Sequence, residues 1–589
     1  MTGADTSKSQ KISRWAFPLL LLFAPLLSYP LVWKKLFFSR LPLWGDVQLF
    51  TPAVLGLLAG AAVCFKAEKL ASIWKINRLR WLLIFAAAGI ITAVIQQLIY
   101  GGTAVFLCSA LFFFLVPLAG MLYSGELKRL FPLLGQILFL PVLAVTVCSQ
   151  DFSGWMGNWN WNFTLLAMTG TGIFLLFPHL SLQRTVMCSM AAVILELVIF
   201  TAVKPELLPR GTFAGITGAV IILLCFRNIS PYRRWAFALW AVIITLVLFT
   251  GSAGSIIEQT PDSRIQLWRG SLDFTLAHLP FGAGPDRFES MINPYLPEIY
   301  YFTPFAAARH THPHNEFLNF AAGYGVAGVV FSALLVFAFI RGIRFSNRPG
   351  LWLSWCVLLL GIHGQFDVLL SLPLTGSWFL LGAGVVAANG TAKYAEILRT
   401  PLPRAAGWLF LVFAVLLAFA TLHSSFNLRE ARLALSRKDP STAAIRLKQS
   451  LRYRTTGENL YTAGAVELFD FRNPDNAIRH LEKIRIIHGL PAVYHSNALL
   501  GRAFAVKGDL NKSLYYFDEE LKYYPYSAVA SWLKLSVLRQ AGADSQSIAD
   551  ENSRFEKLMK MRDMAPADIS KLIRNQELDD APLKNRKKL

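Results

Sequence analysis

Charge is scarce in this sequence, and so is cysteine. Only 16% of its 589 residues are Asp, Glu, Lys or Arg, while 54% are hydrophobic and the mean hydropathy is +0.44. A soluble chain of this length would form several domains and carry a larger charged share. The six cysteines (64, 108, 148, 188, 225 and 356) all lie in or at the ends of apolar runs. With no CxxC motif there is no disulfide framework, and they read as small hydrophobic residues. The first apolar run, "WAFPLLLLFAPLLSYPLVW", follows Lys8, Lys11 and Arg14 but lacks a small-residue cleavage site. It reads as a retained span rather than a signal peptide.

Acidic residues are also few, 36 against 57 basic ones, for a net charge of +21. Such an excess would suit nucleic acid, but its distribution speaks for topology and against a nucleic-acid partner. Apolar runs lie at 15–33, 49–65, 81–99, 102–122, 131–147, 162–180, 185–202, 212–226, 235–253, 319–340, 351–366, 372–389 and 405–422. Many approach the roughly 20 residues that cross a bilayer, which makes about thirteen spans. With residues 1–14 in the cytoplasm, the inner connections carry Lys66, Lys69, Lys75, Lys128, Arg129, Arg227, Arg233, Arg234, Arg341, Arg344, Arg348, Lys393, Arg399 and Arg404. The opposite short loops are poorer in Lys and Arg, and this asymmetry fixes orientation. The expected fold is an all-α polytopic helical bundle over 15–422 in a membrane, with two larger segments on the outer face. These are a loop at about 254–318 and everything from 423 to 589.

The tail changes composition and repeats. "DPSTAAIRLKQSL" from Asp439, "NPDNAIRHLEKI" from Asn473 and "GDLNKSLYYFDEEL" from Gly508 share a turn, a small residue and apolar residues at helical spacing. Ala443, Ala477 and Ser513 mark a period of roughly 35 residues, at which helix pairs must stack to bury their apolar faces. "ALLGRAFAVKGDLNKSLYYFDEELKYYP" resembles a tetratricopeptide repeat through Leu500, Gly501, Phe504, Ser513, Phe517 and Pro525. Such arrays bind proteins or peptides, or cap the membrane domain.

Polar chemistry concentrates in the long loop, in "DSRIQLWRGSLDFTLAHLPFGAGPDRF" and then "HTHPHNEFLNFAAGYGVAG" from His310. On a strand, His310, His312, His314 and Glu316 would share one face, as zinc ligands do. Pro313 instead suits the first turn of a helix, and Phe317, Phe320 and Ala321 continue at helical spacing, which breaks that cage. No metal is therefore expected. A His at the mouth of a bundle can act as general base, and Arg264 and Arg210 can grip phosphate oxygens bidentately. Together they suggest group transfer from a lipid-linked phosphate donor. The other reading is a polar interfacial rim.

His314, Asn315, Gly325 and Gly328 fit the pattern His-Asn, nine residues, Gly, two residues, Gly. This resembles the signature of the bacterial O-antigen ligase family, which includes O-linked protein oligosaccharyltransferases and O-antigen polymerases. Arg264, Trp268, Pro280, Gly282, Gly284 and Phe288 resemble the family's Arg-and-Trp segment and its Pro and Gly-x-Gly. "RGTF" from Arg210 resembles a third element, without its usual Pro-Asn continuation, and "HGQFDVLLSLP" from His363 a later one. The resemblance implies a GT-C-like enzyme without cofactor that takes a glycan from undecaprenyl diphosphate. It delivers the glycan to lipid A core, a protein hydroxyl or another glycan chain. It also implies that His314 activates the acceptor, that Arg210 and Arg264 hold the diphosphate in place of a metal, and that the sugar inverts. Asn315 would orient the imidazole or bind sugar, and Arg269 reads as a surface or secondary phosphate contact. His312, His363 and Asp367 are further candidates for lining the substrate site, the last two alternatively for bracing helix ends.

Glu196 inside a span is a functional candidate or a structural hydrogen bond. The Trp residues of "DFSGWMGNWNWNF" sit in an outer loop, as sugar platforms or interface anchors. A transporter or flippase with a scaffold tail also suits many spans, but it leaves the His-Asn pattern unused. The topology predicts that reporter fusions at Pro285 and Gly508 both behave as periplasmic. Cytoplasmic behaviour at either position would sink the arrangement.

Overall fold

The computed structural model describes residues 15–25, 44–100, 104–148, 159–173, 210–225, 261–284, 287–298, 300, 312–344, 348–367, 369–370, 372–389, 402–488 and 495–560. Their regular structure is helical. The apolar part comprises α1 (Trp15–Pro25), α2 (Trp44–Phe65), α3 (Asn77–Tyr100), α4 (Ala104–Leu122), α5 (Ser124–Cys148), α6 (Trp159–Ile173) and α7 (Arg210–Cys225). After α8 (Pro261–Ala277) in the loop come α9 (Glu316–Gly342), α10 (Arg348–His363), α11 (Pro373–Ala387) and α12 (Leu402–Ser436). Among the described residues, four stretches are long and apolar enough to cross a bilayer: Leu79–Ile99, Ser124–Ala144, Glu316–Gly342 and Arg404–Ser436. The runs expected at 185–202, with Glu196, and at 235–253 lie outside the described residues. Every other expected run contains a helix.

Two local expectations are corrected. The Trp-rich stretch is not all loop, because α6 starts at Trp159 and takes Trp159 and Trp161 into its first turn. Pro313 does not open the tenth run either. Asn315 caps that helix, which starts at Glu316.

In lipid, helix association rests on close backbone approach at small residues. The crossing of α4 and α11 is an instance: a Cβ at Gly384 would lie 2.0 Å from Pro117 O, and one at Gly120 would lie 2.4 Å from Leu381 O. Helix α9 packs on α3 and α11, α7 on α10, and α12 on α2.

The tail is a series of helix pairs. The end of α12 pairs with α13 (Pro440–Tyr453), α14 (Gly457–Phe469) with α15 (Pro474–His488), α16 (Ser496–Lys507) with α17 (Leu510–Tyr523), and α18 (Ala528–Gln540) with α19 (Ser545–Lys560). Asp439, Thr456, Asp509 and Ser527 cap α13, α14, α17 and α18 through side-chain oxygens. Ala443, Ala477 and Ser513 occupy matching buried positions in the second helices. Ser513 Oγ donates to Gly501 O at 2.8 Å. A Cβ at Gly501 would meet the Phe517 ring at 2.8 Å, so the small residues set the spacing of the pair. The boundary expected at 423 falls inside α12, a single helix of 35 residues. At that point Ser424 bonds Ser450 at 3.0 Å, and Arg454 Nη1 donates to Thr421 Oγ1 at 2.9 Å.

The loop carries its own apolar cluster, including Leu267, Phe274, Phe288, Ile292 and Leu296, and reaches Ala322 of α9. Met291 of this loop also packs against the tail's core beside Leu460 and Leu500. Lys557 Nζ lies 3.2 Å from Glu298 Oε1, an exposed pair of small energetic weight.

Helix α9 breaks at Gly325, whose φ of 56° and ψ of −142° are not helical. A break at membrane depth is tolerated only where the freed backbone groups find protein partners. Here the segment after α8 lies along the break. Ala283 N–H donates to Ala322 O at 2.8 Å, Gly284 N–H to Gly323 O at 3.0 Å, and Val326 N–H to Pro280 O at 2.9 Å. The Gln96 amide from α3 donates to Phe281 O at 2.5 Å and Gly323 O at 2.7 Å. Buried Arg287 adds a bond from Nη1 to Ala283 O at 3.2 Å. No side chain fits between the strands of this contact: a Cβ on Gly325 would sit 2.1 Å from Pro280 O. Gly325→Ala should therefore cost at least the ~1–3 kcal/mol of a strained backbone, and Gln96→Leu should take its donor from Phe281 O and leave Gly323 O with Gly284 N–H alone of these two. Thermal unfolding in detergent should show both variants lowered. A Gly325→Ala protein with unchanged melting would contradict this account.

Candidate functional site

The start of α9 is tied to the end of α10. Asn315 Oδ1 accepts from Leu318 N–H at 3.0 Å, which is an N-cap, and its amide donates to Gln365 O at 3.1 Å. Glu316 N–H donates to Gly364 O at 2.9 Å. Asn315 thus orients the chain that carries His314. His314 itself sits at φ 52°, in the left-handed region that is uncommon for a residue with a side chain. Backbone strain of this kind concentrates at functional positions.

This pose turns His314 Nδ1 toward Asp367 Oδ1 at 3.4 Å. On the other side of the carboxylate, His363 Nε2 lies 3.9 Å from Oδ2. His363 ends α10 and is 0% exposed, and its Nδ1 is 2.6 Å from Thr164 Oγ1 of α6. Thr164 Oγ1 in turn is 2.9 Å from Thr212 Oγ1 of α7. Asp367 lies past the end of α10. Burial pushes its carboxyl up, but the bond from His314 and the electrostatic influence of the neighbouring imidazoles and Arg264 together hold it well below the usual carboxylate range. The site therefore keeps a buried anion behind a partly exposed imidazole.

Arg264 approaches the same turn. From the first part of α8 its Nη1 donates to Phe366 O at 3.0 Å, one residue before Asp367, and the side chain stays exposed. The RGTF element also reaches the end of α10. Arg210 opens α7, and its side chain lies outside the described residues. Its neighbours show where it starts: a Cβ on Gly211 would lie 2.1 Å from His363 Nε2, and one on Gly215 2.8 Å from Leu359 O.

Of the residues expected at the site, His314, Asp367, His363, Asn315 and Arg264 come together. His312 is nearby, its ring centroid 5.1 Å from that of His314. Arg269 does not join them. Five residues beyond Arg264, it is turned about 140° around α8 and is exposed. His310 lies outside the described residues. Among those described, no three His, Cys, Asp or Glu side chains are placed to hold a metal. Sequence reasoning missed Thr164, Thr212 and Gln96. A Gln in a span was a usable signal, whereas a Thr in an apolar helix ordinarily bonds its own backbone and stands out only in three dimensions.

With this geometry in place, the comparison with known families has a location. Residues 169–333 match the family model described as O-antigen ligase. The match contains Arg210, Arg264, His314, Asn315, Gly325 and Gly328 and ends before His363 and Asp367. It points to an O-antigen ligase-type or polymerase-type glycosyltransferase, integral to the membrane. No curated protein matches the chain. The close approach of α7 to α10 predicts that Gly211→Ala displaces the His363 ring and lowers glycan transfer at least tenfold, an energy of about 1.4 kcal/mol. Membrane fractions with matched protein levels would test it. Full transfer by this variant would show that the α7–α10 contact is not needed.

Proposed function

We propose that this chain transfers a glycan from undecaprenyl diphosphate to an acceptor hydroxyl at the periplasmic face of the inner membrane, without a metal and with inversion at the sugar. The observation that carries this is the convergence of His314, Asp367 and Arg264 on the single turn after α10, with the start of the RGTF helix against its last residue. The family match over 169–333, which takes in Arg210, Arg264 and His314, supports it.

Asp367 accepts from His314 Nδ1–H, which leaves the Nε2 lone pair for the acceptor hydroxyl. His314 takes that proton as the acceptor oxygen attacks the anomeric carbon from the side opposite the diphosphate. The bond from that carbon to the diphosphate oxygen breaks, and the leaving group gains negative charge. Arg264 and Arg210 neutralise it, an electrostatic role that needs no reorganisation of water. Lipid A core, a protein and a growing glycan are all acceptors of the right chemistry. The helix-pair tail, tetratricopeptide-like in its buried small positions, favours an acceptor or assembly partner that is a protein.

His314→Ala should reduce transfer by about 100- to 10,000-fold, the usual contribution of a general base, with donor binding near normal. Arg264→Lys should also fail, because a point charge does not reproduce a planar bidentate clamp, and its defect should include weaker donor binding. His312→Ala should be milder. The measurement is glycan transfer from a lipid-linked donor in membranes, with protein level checked by blot. An active His314→Ala enzyme beside a dead His312→Ala one would move the base to the wrong residue, and the proposal would fall.

A further inference from the structure

The buried side chains behind His314 form a line that crosses three helices. Thr212 of α7 meets Thr164 of α6 at 2.9 Å, Thr164 meets His363 of α10 at 2.6 Å, and His363 faces Asp367. Thr212, Thr164 and His363 are all 0% exposed. The transfer reaction has no direct use for them, since none reaches the partly exposed face of His314. A hydroxyl pair and an imidazole in a membrane bundle still need a reason, because a polar group in hydrocarbon is costly unless bonded.

Hydrogen-bond capacity gives the line a direction. An ionised carboxylate only accepts. His363 Nε2 lies 3.9 Å from Asp367 Oδ2, too far for a hydrogen bond, but the facing anion favours a proton on Nε2, which leaves the lone pair on Nδ1. Thr164 then donates its hydroxyl proton to Nδ1, and its oxygen accepts from Thr212. On the far side Asp367 Oδ1 accepts from His314 Nδ1–H. The protons all point toward Asp367, and the result is one tautomer for each imidazole.

We propose that Thr212, Thr164 and His363 are positioning residues: a relay that locks His363 as the neutral Nε2–H tautomer and so reserves Asp367 for His314. This rests on the reading of His314 as the base. It also gives the RGTF element a second task. Arg210 serves the donor, Gly211 leaves room for the His363 ring, and Thr212 starts the line that orders the base.

Removing the Thr164 hydroxyl frees Nδ1. His363 is then able to take a second proton there, and the imidazolium competes with His314 for Asp367. The charged and titratable groups that face the relay among the described residues are Asp367 just after α10, His314 just before α9, and Arg264 from α8, whose charge acts on both His363 and Asp367. From α6 and α7 the contacting groups are Thr164, Thr212 and the Gly211 backbone.

Thr164→Val keeps the shape and deletes the hydroxyl. Glycan transfer by the full-length protein in membranes is measured against pH with a lipid-linked donor. The expected result is a kcat lower by about tenfold, part of the contribution of a general base, with the donor KM unchanged. The acid limb of the profile should move to higher pH as His363 charges. Thr212→Val should give a weaker form of the same change. Thr164→Ser should restore both rate and profile. In a His314→Ala background Thr164→Val should have no further effect, because the relay acts only through the base. Wild-type kcat and profile in Thr164→Val overturn the relay while leaving His314 as base. A loss that follows only the amount of folded protein, keeps the pH profile and is not rescued by Ser also overturns it. If His314→Ala is itself active, the reading of the site fails first.

Discussion

A membrane helix that breaks must have its carbonyls bonded by something else, and in this chain the break at Gly325 is bonded by the segment that follows α8. That one contact places most of the site. It fixes the C-terminal end of α8 on α9, and α8 is what carries Arg264 to Phe366 O. It also fixes the N-terminal half of α9, which His314 immediately precedes on the chain. Gln96 bonds the two sides from a third helix. The aromatic rings around the break are packed tightly: Phe113 stacks on Tyr324 at 5.4 Å, and Phe114 meets Phe331 edge-on at 5.0 Å. Without bonded carbonyls this half-helix would have to straighten, and the loop would lose its seat.

The electrostatics of the site then follow from which charge is buried. Asp367 is inside and bonded to the His314 imidazole, whereas Arg264 is outside and donates to the neighbouring Phe366 carbonyl. A direct Arg–Asp pair would satisfy both charges and leave neither for substrate. Holding the guanidinium on a carbonyl instead keeps its charge for an anion that arrives from outside. The arrangement keeps the imidazole–carboxylate pair and the guanidinium on adjacent positions of one turn without joining them, as the proposed displacement would need.

Motif spacing made the residues of the site legible before their roles. The His-Asn pattern and its two glycines, the Gly-x-Gly and the RGTF element are each visible as one-dimensional signals. Their meaning is not, because it lies in contacts between distant segments. Gly282 and Gly325 are needed together, since each backbone occupies the space a Cβ on the other would take. Asn315 reads as a sugar or imidazole contact in sequence, and its use as a helix cap shows only in space. Thr164 carried no signal, since helical threonines commonly bond their own backbone, as Thr169 and Thr171 do in the same helix. The tail shows the opposite balance. Its period was legible because the small residues at Ala443, Ala477 and Ser513 are forced by helix contact within each pair. The last pair, α18 and α19, keeps the architecture with fewer of those small residues, so only the fold reveals it.

Repeat arrays contact mainly their own neighbours, so a tail of helix pairs would ordinarily be free to move as a unit. This one is fixed at two places. At its start it is the same helix as α12, with Ser424, Ser450, Arg454 and Asn459 bonded across the first turn beyond the apolar stretch. Further along, its core receives Met291 from the loop that also packs on Ala322 of α9. The exposed pair between Lys557 and Glu298 adds little energy to this, so the apolar insertion is the stronger tie. The array thereby forms a second connection between α12 and the loop, apart from the bilayer helices. The length of that connection depends on how closely each helix pair packs. The Gly501–Phe517 contact and the Ser513 bond to Gly501 O consequently bear on where the loop rests, and through the loop on where α8 presents Arg264.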